Sequence, residues 1–473
     1  MAILNGLAPD GGLYVPEDLE ALRLDYREVL KEDYLGMARI IFTKFFPDLA
    51  EEIPAIVEAS YRGRFRSEAV TPLVPADGKW ILELFHGPTC AFKDVALSAL
   101  PNLMAAAVRK NHFEDEILIL TATSGDTGSA ALHGFSDVPG TRIVVFYPDE
   151  GISLTQRLQM TTERGRNTAA CAIRGDFDDA QRGVKEIFRT MPHPAKGIAL
   201  SSANSINIGR LVPQVVYYFA AYRQLMDAGR IAVGDPVTFV VPTGNFGDIM
   251  AGWFARAMGL PVEKLVCASN SNEVLADFLA AGRYDRKRIL HKTNSPSMDI
   301  LVSSNLERLL YFVCGEEQTR RYMEELGEKG AYEVSSAELE SIRACFVGGA
   351  ASDEEGAKAI HDIFSSDHYL MDTHTAVAWA VSEKLEERGL LSEEAPQVIL
   401  STASPYKFTR SVLAALGEEV SEEDRRNMER LEEVSGVAMP EPLAGIFDRE
   451  VMHRDVIDPP AMKEYVKAQA EGR

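Results

Sequence analysis

Cysteine is scarce in this chain of 473 residues, and its five cysteines are scattered rather than grouped. They stand at Cys90, Cys171, Cys267, Cys314 and Cys345, so their number is odd and no Cys-x-x-Cys spacing occurs. A disulfide framework and a zinc ribbon both need cysteines grouped at short spacing, and this pattern argues against both. Because free thiols persist in reducing compartments, the sequence predicts a cytoplasmic protein.

Long hydrophobic runs and a surplus of positive charge are also missing. No stretch approaches the ~18 uninterrupted apolar residues of a membrane-spanning helix, and residues 1–14 lack the basic start and apolar run of a signal peptide. The 49 basic and 71 acidic residues give a net charge of −22, and a field of that sign repels nucleic acids and anionic membranes. We therefore expect no nucleic-acid partner and no membrane, and we expect any anionic ligand to be held by local Arg, Lys or backbone N–H groups.

The sequence does contain an ordinary globular composition, with 46% hydrophobic and 25% charged residues, and its length is typical of two to three domains. Continuous apolar segments, such as residues 116–122, 198–202 and 237–241, alternate with helical patterns, such as residues 126–135 and 208–226. This alternation predicts an α/β fold with doubly wound, mostly parallel sheets that are covered by helices on both faces. In such sheets, ligands bind beyond the carboxyl ends of the strands.

One lysine, Lys93, lies in a loop where its neighbours Ala91, Phe92 and Val95 are apolar. Partial burial would lower the pKa of its amine and make it a nucleophile that can form a Schiff base. A surface lysine at the start of a helix would show the same local pattern. This loop alone therefore leaves both interpretations open.

Two further loops join a predicted strand to a predicted helix and are rich in glycine. Residues 121–128 combine hydroxyl side chains with two glycines, and helix capping explains them as well as anion binding does. Residues 242–248 read Pro-Thr-Gly-Asn-Phe-Gly-Asp and precede a helix predicted at 249–258. The glycines let the backbone approach a phosphate closely, although the segment is neither a Walker A loop nor a Gly-x-Gly-x-x-Gly motif. We therefore predict a phosphate site that does not belong to a dinucleotide-binding fold.

A fourth loop, residues 202–210, brings amides, hydroxyls and a guanidinium to the start of the helix at 208–226. An arginine there can bind a phosphate with two parallel hydrogen bonds. Two anion sites and one lysine in apolar surroundings specify a covalently held, phosphorylated cofactor and an anionic substrate. Pyridoxal phosphate fits this specification, since its aldehyde needs the lysine and its phosphate needs an anion site. No metal site is predicted.

Taken together, these motifs resemble the threonine synthase family. The resemblance rests on His-Gly-Pro-Thr-Cys-Ala-Phe-Lys-Asp at 86–94 and on segments 123–128, 202–207, 244–248, 296–300, 303–308 and 6–14. It spans nearly the whole chain and implies the tryptophan-synthase-β fold type, with two α/β domains flanking the cofactor and an extra N-terminal domain. The domains implied are an N-terminal domain at 1–80, a large cofactor-binding domain at 81–105 and 216–473, and a small mobile α/β domain at 106–215.

The resemblance also implies roles for individual residues. Lys93 matches the lysine that carries the cofactor, and Thr402 matches the hydroxyl facing the pyridine nitrogen. The loop for the cofactor phosphate corresponds to Gly244, Asn245, Phe246 and Gly247. The substrate carboxylate corresponds to Thr123, Ser124 and Thr127, and the substrate phosphate to Asn204, Ser205, Asn207 and Arg210. Two positions depart from relatives: Asp126 stands where relatives often have Asn beside the cofactor's phenolic oxygen, and Ser404 where many have His.

The activity implied by the resemblance is that of a lyase acting on O-phospho-L-homoserine. With water, this substrate would give L-threonine and phosphate through a pyridoxal-phosphate aldimine, by γ-elimination followed by addition of water at the β-carbon. Two alternatives stay open: a phospho-lyase that releases a 2-oxo acid and ammonia, and a non-catalytic binding protein descended from the same fold. We expect His86 and His374 to be the histidines nearest the site, and the chain to act as a monomer or homodimer.

Overall fold

The computed structural model describes residues 1–472, and its strands follow the predicted alternation. The predicted strands at 116–122 and 198–202 agree with the structure at both ends. The strands are β1 (Leu73–Ala76), β2 (Lys79–Glu83), β3 (Glu116–Ala122), β4 (Thr141–Pro148), β5 (Thr168–Ile173), β6 (Ile198–Ser202), β7 (Val237–Pro242), β8 (Val262–Ser269), β9 (Arg283–Asp285), β10 (Ala331–Glu333), β11 (Phe346–Ala350), β12 (Gln397–Ser401) and β13 (Asp455–Ile457).

Helices separate most of these strands. They are α1 (Ala2–Asn5), α2 (Tyr26–Val29), α3 (Tyr34–Phe45), α4 (Ile53–Tyr61), α5 (Lys93–Leu97), α6 (Leu100–Lys110), α7 (Asp126–Phe135), α8 (Leu154–Thr161), α9 (Phe177–Thr190), α10 (Ile208–Asp227), α11 (Gly247–Ala257), α12 (Val274–Ala281), α13 (Leu306–Cys314), α14 (Glu316–Lys329), α15 (Ser336–Arg343), α16 (Asp353–Asp367), α17 (Thr373–Glu387), α18 (Thr409–Ala415), α19 (Asp424–Ser435) and α20 (Met462–Ala470). Single 3₁₀ turns include Pro296–Met298 and Pro405–Lys407. Among the helices of residues 1–472, none is both long and apolar enough to cross a membrane.

Two large sheets carry the fold. The first has the order β1-β2-β12-β7-β8-β11, and all of its pairs are parallel except β1 with β2. The second has the order β13-β5-β4-β3-β6 and is parallel throughout. The continuous apolar strands are buried on both faces, as parallel sheets require. The predicted α/β fold class is therefore confirmed.

Helix α10 forms a central part of the hydrophobic core. It is buried along most of its length, and its three tyrosines Tyr217, Tyr218 and Tyr222 are fully buried. Helices α3, α5 and α11 pack against it. The N-terminal helices are therefore attached to the same core that positions the loops at the strand ends.

The C-terminal end of the chain departs from the implied domain ranges. Strand β13 pairs with β5 of the second sheet, and α20 packs against α9 beside it. The range 216–473 assigned these residues to the large domain, yet the register joins 455–457 to 171–173. A short strand can pair with any open sheet edge, and sequence position does not reveal which one. The three-domain division itself stays a prediction.

Candidate functional site

One cavity lies beyond the carboxyl ends of β3, β6, β7 and β12, where parallel sheets place their ligands. Its wall also includes the 3₁₀ turn Pro296–Met298. The expected site residues that line it are Lys93, Thr123, Ser124, Thr127, Asn204, Ser205, Arg210, Gly244, Asn245, Gly247 and Thr402. Sequence motifs separated by more than 300 residues thus meet in one place.

Lys93 is the first residue of α5, and its side chain is only 9% exposed. Burial lowers the pKa of its amine to about 8, against the opposing charge of Asp126. The Lys93 Nζ atom lies 5.4 Å from the centre of the Phe92 ring and 3.9 Å from Asp126 Oδ2. The amine is therefore partly neutral near physiological pH and is able to act as a nucleophile or a base.

The loop before α11 presents backbone rather than side chains. A Cβ added to Gly244 would lie 2.6 Å from the carbonyl oxygen of Ser297, so only glycine fits there. Phe246 adopts a left-handed conformation with φ of 61° and precedes the helix without any side-chain cap. Its ring is buried against Phe346 and does not line the cavity. The uncapped helix start at Gly247 is suited to hold an anion.

The loop before α10 presents side chains instead. Arg210 is 5% exposed, and its Nη1 donates to the carbonyl oxygen of Ala203 at 2.9 Å. No carboxylate in residues 1–472 forms an ion pair with it within 4.0 Å, and burial lowers the pKa of its guanidinium to about 10. Asn204 Oδ1 is buried without a hydrogen-bond partner. A buried guanidinium without an ion-pair partner, such as that of Arg210, is stabilised by an anion.

Asn207 belongs to the same motif but points away from the cavity. Its Oδ1 accepts from the Gly209 N–H at 2.9 Å, which caps α10. Its Nδ2 donates to the carbonyl oxygens of Ile3 at 2.9 Å and Ser202 at 3.0 Å. The structure therefore gives Asn207 a supporting role, because all these contacts tie backbone segments together.

The loop between β3 and α7 is closed by Thr123, whose Oγ1 accepts from the N–H groups of Gly125 and Gly128, both at 2.9 Å. Gly125 has a φ of 136°, a conformation that favours glycine. Ser124 and Thr127 line the cavity beside it. The turn thus places two hydroxyl-bearing residues in the wall of the cavity that Lys93 also lines.

Asp126 lies behind the cavity wall rather than in it. Its Oδ1 accepts from Lys407 Nζ and from Gln156 Nε2, both at 2.8 Å, while Oδ2 faces Lys93. Burial alone would raise the pKa of Asp126, but Lys407 and Lys93 hold it well below its usual range. Asp126 is therefore a carboxylate within a buried cluster that contains two lysines.

Lys407 was missed at the sequence level, although a signal was present. Lys407 stands between the aromatic residues Tyr406 and Phe408, and Lys93 likewise has Phe92 and Val95 as apolar neighbours. The side chain of Lys407 is 0% exposed. The test for a lysine in apolar surroundings would have found both. Ser404, three residues earlier, accepts a hydrogen bond from the Tyr406 N–H at 3.4 Å and starts the turn that carries Lys407.

Two other titratable groups line the cavity without an assigned role. Asp248 is 5% exposed, and burial raises its pKa to about 7. His374 contacts Asp372 Oδ1 through Nδ1 at 2.9 Å and accepts from the Ser297 N–H through Nε2 at 3.2 Å. His86 pairs with Glu83 at 2.8 Å and does not line the cavity. Of the two histidines expected near the site, only His374 is in its wall.

These residues fit pyridoxal phosphate. Lys93 offers a buried amine, and the glycine loop with the uncapped start of α11 offers room and N–H groups for a phosphate. Two buried polar atoms of the wall, Asn204 Oδ1 and Ser297 Oγ, have no partner and remain open to a ligand. No cluster of potential metal ligands occurs in the part of the chain that the structure describes.

Comparison with known families agrees with this arrangement. Residues 65–403 match the family model described as pyridoxal-phosphate dependent enzyme. Residues 1–61 match the threonine synthase N terminus, and residues 375–466 match the threonine synthase C-terminal model. The predicted cofactor class is therefore confirmed.

Individual relatives cover most of the chain. Threonine synthase of Pseudomonas aeruginosa is 40% identical over 457 residues, which cover 95% of this chain and 90% of that protein. Human threonine synthase-like 1 is 38% identical over 437 residues, but the chain spans only 57% of its length.

Solved structures give the same result. The pyridoxal-phosphate-bound threonine synthase of Brucella melitensis superposes with a TM-score of 0.86 at 37% identity, over 99% of this chain and 96% of that one. The yeast enzyme superposes with a TM-score of 0.87 at 33% identity, over 100% and 96%. The chain belongs to the threonine synthase family of pyridoxal-phosphate-dependent enzymes.

Proposed function

We propose that the chain is a threonine synthase that converts O-phospho-L-homoserine and water into L-threonine and phosphate. The observation that carries this proposal is the cavity itself, in which a buried amine of lowered pKa lies between two anion-binding loops of different construction. One anion site serves a phosphorylated cofactor, and the other serves a phosphorylated substrate. A pyridoxal-phosphate enzyme with an uncharged substrate side chain would not need the second site.

We assign the cofactor to the side of the cavity nearer α11. Its phosphate would be held by the backbone of residues 244–247, its aldehyde by Lys93, and its ring nitrogen would face Thr402. When bound, pyridoxal phosphate supplies an electron sink that stabilises negative charge on the substrate carbons next to its amine. A neutral hydroxyl at Thr402 would favour an unprotonated ring nitrogen, unlike a carboxylate partner.

The substrate would bind through its two anionic ends. Ser124 and Thr127, with the turn closed by Thr123, would receive the carboxylate. Arg210, Asn204 and Ser205 would receive the phosphate. In a chain of net charge −22, Arg210 supplies the local positive charge that this phosphate requires.

Lys93 would move the protons of the reaction. Its buried amine, whose pKa burial lowers to about 8, would hold and release protons beside the bound substrate. Such an amine accepts the α-proton and returns protons to neighbouring carbons with little energetic penalty near neutral pH. Departure of the phosphate and addition of water make the enzyme a carbon–oxygen lyase.

The remaining expectations also stand as proposals. All five cysteines are free, and only Cys314 is more than marginally accessible, which supports a reducing compartment such as the cytoplasm. We propose that the chain acts as a monomer or a homodimer.

The test is incubation of the purified protein with O-phosphohomoserine, with threonine, 2-oxobutyrate, ammonia and phosphate quantified together. We expect threonine and phosphate in equal amounts, with little 2-oxobutyrate. Phosphate accompanied by 2-oxobutyrate and ammonia would instead indicate a phospho-lyase. No product from protein that carries pyridoxal phosphate would indicate a binding protein.

A further inference from the structure

Lys407 connects three segments that surround Lys93. Its Nζ donates to the carbonyl oxygen of Thr89 at 2.9 Å and lies 2.8 Å from Asp126 Oδ1. Thr89 precedes Lys93 in the same loop, whereas Asp126 starts α7 at the end of β3 in the other sheet. The side chain of Lys407 is fully buried. Lys407 therefore joins loops of both sheets directly behind the amine of Lys93.

The charges around Lys93 come from four elements. Asp126 on α7 and Asp248 on α11 favour its protonated form, and Arg210 on α10 and Lys407 favour its neutral form. Of the two carboxylates, Asp126 is the one within ion-pair distance, at 3.9 Å through Oδ2. Its other oxygen is occupied by Lys407 and Gln156. Lys407 thus compensates the carboxylate that would otherwise pair with Lys93.

We propose that Lys407 is a positioning residue that holds Asp126 away from a full ion pair with Lys93 and so increases the fraction of the Lys93 amine that is neutral and reactive. The proposal concerns the lysine that carries the cofactor, and it holds whether or not the chain makes threonine. It also gives a reason for a second cation beside Asp126, since Lys407 pairs with this carboxylate without a proton being drawn onto Lys93.

Removing Lys407 alone leaves an uncompensated carboxylate beside Lys93. Asp126 then has only Lys93 as a cationic partner, and the ion pair between them stabilises the protonated form of the Lys93 amine. A protonated amine cannot attack an aldehyde. Replacing Asp126 by Asn at the same time removes the charge that caused the change, so the amine should recover.

The experiment measures how fast Lys93 reacts with added pyridoxal phosphate in the full-length chain after its cofactor has been removed. In this step the Lys93 nitrogen bonds to the aldehyde carbon, and the aldehyde oxygen leaves as water together with both protons of the neutral amine. The rate is followed by absorbance from pH 6.5 to 10, and borohydride reduction with peptide mapping confirms that Lys93 is the residue modified. Circular dichroism checks that each variant is folded.

For Lys407→Met we expect about a tenfold slower reaction at pH 7.5 and a rate profile displaced to higher pH, as one charge close to a buried amine produces. Lys407→Arg keeps the charge and should retain most of the rate. The double variant Asp126→Asn/Lys407→Met should return close to the wild-type profile. The control is Lys79→Met, which removes another buried lysine that is paired with Glu386 outside the cavity.

Two results would overturn the proposal. One is a Lys407→Met profile that coincides with those of the wild type and Lys79→Met. The other is a double variant that is as slow as Lys407→Met, which would show that the charge of Asp126 is not responsible. If Lys407→Met does not fold, the double variant and Lys407→Arg still decide, because the proposal requires both to react at near wild-type rates.

Discussion

The two anion-binding loops of the cavity are built in opposite ways. Helix α10 begins with Asn207, whose side chain caps it, so the N–H groups there are already partly satisfied. Helix α11 begins after Phe246, which offers no side-chain cap, so the Gly247 N–H has no side-chain acceptor, whereas the Ile249 N–H donates to Asp248 Oδ1 at 2.8 Å. An anion at α10 must therefore be held by side chains, chiefly Arg210, whereas an anion at α11 is held by the backbone.

This difference suits two ligands with different residence times. Backbone N–H groups are fixed before binding and hold a phosphate in one geometry, which suits a cofactor that remains bound. A side-chain site with one buried guanidinium can bind and release a phosphate at each turnover. The loops are also adjacent, since a Cβ on Gly247 would lie 3.5 Å from the Cβ of Ser205.

The largest effect is expected at Lys93, which lies between the loops. Lys93→Ala should reduce turnover by about 10³-fold or more, because we propose that the same amine holds the aldehyde and moves the protons. The visible absorbance of the covalently bound cofactor should disappear while thermal unfolding shows a folded chain. Lys79→Met is the matched control and should keep the absorbance. If Lys93→Ala keeps it, another lysine carries the cofactor.

Arg210→Ala should separate the two loops most clearly. Loss of a buried charged partner costs ~2–5 kcal/mol, which corresponds to at least a 30-fold loss of affinity for O-phosphohomoserine. Cofactor affinity should change far less. Titrations of the variant with each ligand measure both effects. Equal losses would place Arg210 outside the substrate phosphate site.

A pair of smaller changes tests the same division from both sides. Gly247→Val should leave most of the protein without cofactor, since a Cβ there lies 3.5 Å from Ser205 Cβ and Asn305 Nδ2 and the remaining bulk adds to the cavity wall beside the proposed cofactor phosphate. Asn204→Ala should keep its cofactor and lose turnover with phosphohomoserine. Cofactor content by absorbance and steady-state kinetics give the two results. If Gly247→Val stays loaded while Asn204→Ala does not, the two phosphate sites have been assigned in reverse.

Asp248, at the start of α11, should make the free energy of unfolding depend on pH. Burial raises its pKa to about 7, so between about pH 4 and pH 7 the folded chain holds a proton that the unfolded chain has released. The free energy of unfolding should therefore fall as pH rises through this window. Asp248→Asn should remove that fall and gain about 3 kcal/mol relative to wild type between pH 4.5 and pH 8. Denaturant unfolding of both proteins at pH 4.5 and pH 8 measures the gain. If the variant and the wild type differ in free energy of unfolding by the same amount at both pH values, Asp248 is ionised throughout.

The smallest effect is expected at Asn207, the cap of α10. Asn207→Ala should lower the free energy of unfolding by about 1–3 kcal/mol, because it leaves the backbone groups of three segments without partners. The KM for phosphohomoserine should stay within about twofold of wild type where the variant is folded, since the side chain does not reach the cavity. A large rise in KM without loss of stability would indicate that Asn207 binds the substrate phosphate.

The sequence predicted best the elements whose signal is local. Strands β3 and β6 and helix α7 have the predicted bounds, because continuous apolar runs and a glycine turn determine them. Strand β11, with the sequence Phe-Val-Gly-Gly-Ala, was missed because its glycines weaken the pattern and its pairing with β8 is a tertiary contact. Helix α11 begins at 247 rather than 249, because the left-handed Phe246 completes the turn earlier than the apolar periodicity suggests.

In the candidate site, too, the sequence predicts local features better than contacts between distant residues. Motifs identified which loops meet, but a motif does not tell a capping side chain from a binding one. Asn204 and Asn207 look alike in sequence, whereas the structure leaves the first with an unpaired oxygen and gives the second three backbone partners. The ion pair between Asp126 and Lys407 could not be predicted from the sequence either, since Lys407 lies 281 positions further along the chain.

The most direct test of this account is a crystal structure of the chain with pyridoxal phosphate and inorganic phosphate both present. We expect the cofactor phosphate on the backbone of residues 244–247, with its ring joined to Lys93, and the second phosphate within hydrogen-bonding distance of Arg210 and Asn204. Cofactor phosphate against Arg210, or free phosphate on the start of α11 with the cofactor elsewhere, would contradict the division between a backbone site and a side-chain site.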